Sequence, residues 1–335
     1  MLLLIFLLAL SIRARLLCLT LPPLGEDPAI HLQRVFLMLG MSNLSAEQLS
    51  ISQRYPPALH ILLCLSTVIW GGRDLSQIFE ATKALASVSS ALLVIPTFAL
   101  GRRLARSHGV GGLAALLLAL SPREVEALAC GLYSFILSYY ILSAIALMIV
   151  ASKFTKRAWA IYALLIVGML ITHSPTLFFT FAVVLAYAAA IKLLRRDRAG
   201  FAAIVLASAL FLVLYEACAK ALVQFYTFPV IWAKPSIVLY FPYVHLFGLS
   251  LAALMVASLF AVPTLAKRRQ LNEQALVFLA LWALVPLSIM HVRLIHTFGS
   301  PERLACYASL PIALFASTTV FWPFLYERGV RLPNR

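Results

Sequence analysis

Apolar runs long enough to cross a bilayer follow one another along most of this chain, separated by short basic clusters. A crossing of the hydrocarbon core takes about 20 apolar residues as a helix, and lipid offers no partners to backbone polar groups, so each crossing must satisfy its own ladder. The pattern therefore predicts an all-α, polytopic membrane protein. Composition agrees: 63% of the 335 residues are hydrophobic and 12% are charged, with mean hydropathy +0.96, whereas soluble domains are nearer half apolar and a quarter charged. No stretch is polar enough for a separate soluble domain, so residues 1–335 read as one transmembrane domain. The formal charge of +15 does not point to nucleic acid, because the basic residues sit between apolar spans. The five cysteines, Cys18, Cys64, Cys130, Cys218 and Cys306, have no metal-binding spacing and read as small buried hydrophobes.

Lysine and arginine set the orientation. Five clusters are expected in the cytoplasm: Arg102, Arg103 and Arg106; Lys153, Lys156 and Arg157; Lys192, Arg195, Arg196 and Arg198; Lys267, Arg268 and Arg269; and Arg328, Arg331 and Arg335. About ten spans satisfy this, near 1–21, 78–100, 107–121, 127–151, 159–173, 174–193, 200–222, 245–265, 274–290 and 304–325, with both termini cytoplasmic. The start of the chain lacks a basic n-region and a cleavage site, so it reads as a retained first span. Arg13 and Arg15 lie late in that span, and are expected to snorkel outward or to face the bundle interior. The segment 56–71 is too short for an ordinary crossing, so 22–77 reads as one long external loop carrying two short interfacial helices. The competing eleven-span arrangement would count 56–71 as a crossing and leave Arg102, Arg103 and Arg106 outside.

This topology gathers chemistry on one side. Nine of the 12 carboxylates and six of the seven histidines fall on the external face, which solvation alone does not require. The densest cluster runs from Glu26 to Arg34. Asp27 reads as an N-cap and Pro28 as the first helical residue. At about 100° per residue, Asp27, His31 and Arg34 share a face. A capped amphipathic helix on the bilayer surface would show the same pattern.

Other outer loops add candidates. Glu124 and Glu126, after Ser121 and Pro122, suit a divalent cation shared with Asp27, since hard cations take carboxylate oxygens; the plainer alternative is a solvated loop neutralised by Arg123. His173 stands at a tight outer turn, where capping the turn competes with substrate binding. The stretch 224–243 is rich in aromatics and proline and reads as an interfacial belt, or as a groove for a lipid chain or a sugar ring. The last outer loop brings Arg293, His296, Glu302 and Arg303 together, and arginine's fork suits phosphate.

The order of these motifs resembles the membrane module of the GT-C superfamily of glycosyltransferases. That group includes protein mannosyltransferases, aminoarabinose transferases and oligosaccharyltransferase catalytic subunits. The resemblance rests on Gly25-Glu26-Asp27-Pro28 with His31 and Arg34, then Tyr55-Pro56-Pro57-Ala58-Leu59-His60, then Gly101-Arg102-Arg103-Leu104, then Leu120-Ser121-Pro122. It covers residues 1–195 well and 196–335 loosely. It implies that Asp27 is the catalytic base or a metal ligand, with Glu26 beside it and His31 assisting. It implies that Asp27, Glu124 and Glu126 take a divalent cation, Mg or Mn. It implies an arginine for the lipid phosphate, Arg303 first and Arg293 second. Arg34, Tyr55, His173 and His296 complete the expected substrate contacts. The WWDYG motif of the oligosaccharyltransferase branch is absent from the sequence, so transfer to asparagine sequons is not expected.

The implied reaction moves a sugar from a polyprenyl-phosphate donor to an external acceptor of unspecified kind. Membrane lipid is the only other expected partner, and the expected location is the plasma membrane. A transporter or flippase for an anionic or lipid-linked substrate would share the spans and outer arginines, but would show paired broken helices. A non-catalytic subunit of a membrane complex is the third class, in which the Asp27 cluster only shapes a loop.

Overall fold

A computed structural model describes residues 1–19, 26–40, 57–69, 75–129, 131–151, 156–194, 196, 249–267, 271–292 and 301–325. Every regular element among them is an α-helix: α1 (Leu2–Leu19), α2 (Glu26–Met38), α3 (Ala58–Ile69), α4 (Leu75–Leu92), α5 (Val94–Ala105), α6 (His108–Ala119), α7 (Pro122–Ala129), α8 (Tyr133–Ala151), α9 (Lys156–Thr172), α10 (Ser174–Leu194), α11 (Leu249–Lys267), α12 (Glu273–Val292) and α13 (Pro301–Val320). Three stretches among the described residues are long and apolar enough to cross a membrane, Ser76–Ala105, Tyr133–Val150 and Pro175–Leu194. The remaining apolar helices are shorter. The expected span at 200–222 and the aromatic stretch 224–243 lie outside the described residues.

The stretch Ser76–Ala105, which covers the span expected at 78–100, is built from two helices, α4 and α5. Pro96 has no N–H and its ring crowds the carbonyl four residues back, that of Leu92. The ladder breaks there, and Leu93 N–H reaches back only to Ser90 O, at 3.3 Å. α5 then ends on Arg106 in the left-handed region, with φ 50°, and α6 packs back along it. That crossing is close because both helices present glycine: a Cβ added to Gly101 would lie 2.8 Å from Gly111 Cα.

α13 is the central post. Residues 306–314 are all buried, against α6, α7, α11 and α12. Its small residues Ala308, Ser309, Ala313 and Ala316 let neighbouring backbones approach, as is common between helices in lipid. At the end of the bundle expected to be cytoplasmic, Asn272 caps α12 by accepting from Ala275 N–H at 3.1 Å, while its own N–H bonds Leu104 O at 2.8 Å and ties α12 to α5.

Two short helices do occupy the expected external loop. α2 starts at Glu26, two residues ahead of Pro28, the expected first helical position, with Pro28 still in the first turn. α3 packs on α2, α4, α8 and α9. It buries Leu59, His60, Leu63 and Thr67, and its other face, Ile61, Leu65, Val68 and Ile69, is apolar and exposed. The cysteines are not uniformly buried: Cys306 is, Cys64 is half-buried and Cys18 is exposed.

Candidate active site

The loop after α6 is a helix. Pro122 occupies the first helical position, where its missing N–H costs nothing, and Arg123, Glu124, Ala127 and Leu128 turn inward. α7 closes on a Schellman motif: Leu132 N–H bonds Ala127 O at 2.9 Å and Gly131 N–H bonds Leu128 O at 3.1 Å. Gly131 takes φ 76° to permit it. The chain thereby reverses into α8 and turns Tyr133, Ser138 and Tyr139 into the bundle.

Glu124 is 0% exposed, so the solvated-loop alternative is wrong for this residue. Ser309 Oγ of α13 donates to Glu124 Oε1, while Oε2 is buried with no hydrogen-bond partner. Burial pushes this carboxyl above its ordinary range, opposed by the Ser309 bond and then by the charge of Arg13. The cation that opposes the rise is Arg13 of α1. Arg13 is itself 0% exposed and takes the inward alternative of the two expected for it. It donates to Ala119 O at 2.9 Å, to Ala9 O at 3.2 Å and to Ser90 Oγ at 2.7 Å. It also reaches Leu118 O at 3.4 Å, and so caps the last carbonyls of α6.

A polar network extends from Glu124 across the bundle. Tyr139 Oη lies 3.4 Å from Ser309 Oγ and donates to Tyr307 O at 3.1 Å. Tyr307 Oη meets Thr176 Oγ1 at 2.9 Å, and Thr176 Oγ1 in turn meets His173 Nδ1 at 2.7 Å. Ser138 also donates to Thr176 Oγ1, at 2.9 Å. His173 sits between α9 and α10, where its Nδ1 accepts Thr176 N–H at 3.3 Å and serves as an N-cap.

The second cluster joins α2 to α3. His31 Nδ1 and His60 Nε2 are 2.9 Å apart, at 1% and 0% exposure. One ring must carry the proton between them. The Tyr133 ring stacks on His31 with centroids 6.3 Å apart. One turn on, Cys64 Sγ points to Val35 O at 3.9 Å. His60 was not among the expected site residues. Its signal was available, since it ends the Tyr55-Pro56-Pro57 motif and pairs with Cys64 at i, i+4 as His31 does with Val35.

The other expected residues divide in two. Glu26 and Asp27 form the first turn of α2, Glu126 lies in α7, and Arg303 lies in the first turn of α13; their side chains lie outside the described residues. Arg34 is half-buried on α2, one turn beyond His31. Tyr55, Arg293 and His296 lie outside the described residues altogether. No cluster of three or more His, Cys, Asp or Glu suited to a metal occurs among the described residues. The orphaned Glu124 Oε2 fits a cation ligand, and it is the one carboxylate of the expected Asp27, Glu124 and Glu126 set whose placement is described.

Compared by sequence, the chain matches no family model and no curated protein. By architecture it shares the fold of the membrane part of solved oligosaccharyltransferase structures. Among the solved structures it resembles are those of the oligosaccharyltransferase AglB from Archaeoglobus fulgidus. The apo form aligns with 100% of this chain and 52% of that one, at TM-score 0.64 and 13% identity. The complex with an inhibitory peptide and a dolichol-phosphate aligns over 100% and 52%, at TM-score 0.60 and 14% identity. A complex with Zn and sulfate aligns over 97% and 50%, at TM-score 0.62 and 12% identity. The chain therefore spans about half the length of these neighbours, and at such identity the likeness is one of fold.

Proposed function

We propose that the protein is a membrane glycosyltransferase that moves a sugar from a polyprenyl-phosphate donor to an acceptor on the external face. The observation that carries this is Glu124: a buried carboxylate with one unpartnered oxygen, held by a hydrogen bond from Ser309 of α13 in a GT-C type fold. A carboxylate in that state is costly to keep for stability alone.

Asp27 is the base in this reading. It stands one helical turn before His31, on the same face of α2, and the His31–His60 bond fixes that face against α3. Asp27 accepts the proton of the acceptor hydroxyl as its oxygen attacks the anomeric carbon. Arg303 neutralises the departing phosphate, with Arg293 as the second candidate, and Arg34, Tyr55, His173 and His296 border the substrates. Glu124 belongs with Asp27 and Glu126 in holding a divalent cation, Mg or Mn, which when bound supplies Lewis acidity to the phosphate. Both termini and the basic clusters are cytoplasmic in this reading, and the site faces outward from the plasma membrane. The neighbours' dolichol-phosphate and peptide make a lipid-phosphate donor and a peptide the first probes.

The test is transfer by the purified full chain in lipid, using a polyprenyl-phosphate sugar pool and a panel of peptide, glycan and lipid acceptors with Mg or Mn. Wild type transfers, and Asp27→Asn, folded by melting temperature, loses on the order of 10²–10⁴-fold. Wild-type transfer with an unimpaired Asp27→Asn would move the base to Glu26. Silence of the wild type across the panel would refute the enzyme reading and favour a transporter or a scaffold subunit.

A further inference from the structure

Proline inside α13 leaves a gap that another helix fills. Pro311 has no N–H, so the carbonyl of Tyr307, four residues back, loses its ladder partner. In a buried helix an orphaned carbonyl costs about as much as a lost hydrogen bond. The phenol of Tyr139, from α8, enters that gap. Its Oη donates to Tyr307 O at 3.1 Å and accepts Leu310 N–H at 3.2 Å. The ring is 0% exposed, stacked with Phe135 and edge-on to Trp282. The same Oη lies 3.4 Å from Ser309 Oγ, the hydroxyl that donates to Glu124.

A proline gap with no substitute donor is a weak point at which a helix bends. The portion of α13 before Pro311, residues 301–310, carries Arg303 at its start and Ser309 near its end. Ser309 has one proton and two acceptors in reach, Glu124 Oε1 and Cys306 O, the latter at 2.8 Å. Where that proton points depends on how α13 is held.

We propose that Tyr139 is a positioning residue: by bridging the ladder gap at Pro311 it holds residues 301–310 of α13 against α7, and through Ser309 it fixes the orientation of the Glu124 carboxyl. The activity part of the test rests on the glycosyltransferase reading; the spectroscopic part does not.

The experiment uses the full chain in nanodiscs, with Tyr139→Phe, Ser309→Ala, Pro311→Ala and the double variant Tyr139→Phe/Pro311→Ala. Phenylalanine keeps the ring and removes only the bridge. Alanine at 311 restores an N–H for Tyr307 O, so the phenol is no longer needed. The Glu124 carboxyl stretch is assigned in the infrared by its loss in Glu124→Gln. Tyr139→Phe is expected to shift that band as Ser309→Ala does, and to raise amide exchange over 301–310 by about tenfold. In the Pro311→Ala background the same change is expected to leave band and exchange within about twofold of the single variant. An unchanged band in Tyr139→Phe would overturn the proposal, as would a shift equally large with and without Pro311. In the transfer assay, Tyr139→Phe lowers kcat about five- to tenfold with donor KM nearly unchanged; a change in KM alone would also overturn it. If wild type transfers nothing, the function reading fails and the carboxyl band still decides the role of Tyr139.

Discussion

Substituting Gly111 by alanine tests the packing that carries the site. A Cβ on Gly111 would stand 2.5 Å from Phe98 O and 3.2 Å from Arg102 N, both backbone atoms of α5. Carbon and oxygen touch comfortably at about 3.3 Å, so the helices must part by roughly 0.8 Å. A radial gap of that size forfeits a quarter to a half of each dispersion contact along the seam. With the overpacking strain itself, the cost is about 2–4 kcal/mol. Gly168→Ala is the control, because its nearest neighbour would be Ile141 Cδ1 at an ordinary 3.7 Å. There the helix gains about 0.5–1 kcal/mol. Gly112→Ala is a second control, since its Cβ would meet only the mobile tip of Met1, Cε at 2.7 Å and Sδ at 2.9 Å. Thermal unfolding in one detergent should place Gly111→Ala roughly 5–10 °C below wild type, with Gly168→Ala at or above it. Because α6 runs through Ser121 into α7, the same variant should also lower any Glu124-dependent activity. If Gly111→Ala melts within a degree of Gly168→Ala, the helices do not cross at these glycines and the argument fails.

Arg13→Met should cost about 1–3 kcal/mol, because it orphans the α6 carbonyl of Ala119, while Leu118 O keeps the Ser121 N–H at 3.1 Å, and because it removes the cation that opposes the raised carboxyl of Glu124. Adding Glu124→Gln should recover about 1 kcal/mol of that, read as coupling in a double-mutant cycle by thermal unfolding. The raised carboxyl of Glu124 sets a pH signature. Its unfolded form loses a proton near pH 4 while the folded form keeps it, so wild-type stability falls as pH rises from there through the higher folded value. Glu124→Gln should remove that fall. The stability difference between the two proteins, followed across acidic to neutral pH, should therefore grow as pH rises; a flat difference would mean that Glu124 is not desolvated.

Helix-forming runs and the basic clusters between them made the all-helical architecture readable, and Asp27-Pro28 marked the start of α2 to within two residues. What escaped the reading is mostly cross-chain. The inward turn of Glu124 could not be seen from its own loop, because both its partner Ser309 and its cation Arg13 lie more than a hundred residues away in sequence. A local signal for α7 was nevertheless present. Ser121 and Glu124 have capping-box spacing, which predicts a helix start. The structure uses neither arm of the box: Ser121 Oγ is buried without a partner, and Glu124 turns to α13. Pro311 likewise read as part of an unbroken span, since nothing nearby in sequence supplies the group that repairs its gap. Short-range pattern specifies where helices begin and break; which polar groups meet inside is decided by packing between helices.

The setting of Arg13 bears on how the chain is made. α1 leaves the ribosome carrying Arg13, and the partners of that cation outside α1 have not been synthesised. Ser90 follows 77 residues later, and Leu118 and Ala119 follow 105 and 106 residues later. At about 5–20 residues per second that delay is several seconds or more. Throughout it the guanidinium must stay solvated by reaching for the bilayer surface. α1 is therefore slow to settle, and its final depth is fixed when α4 and α6 close around it.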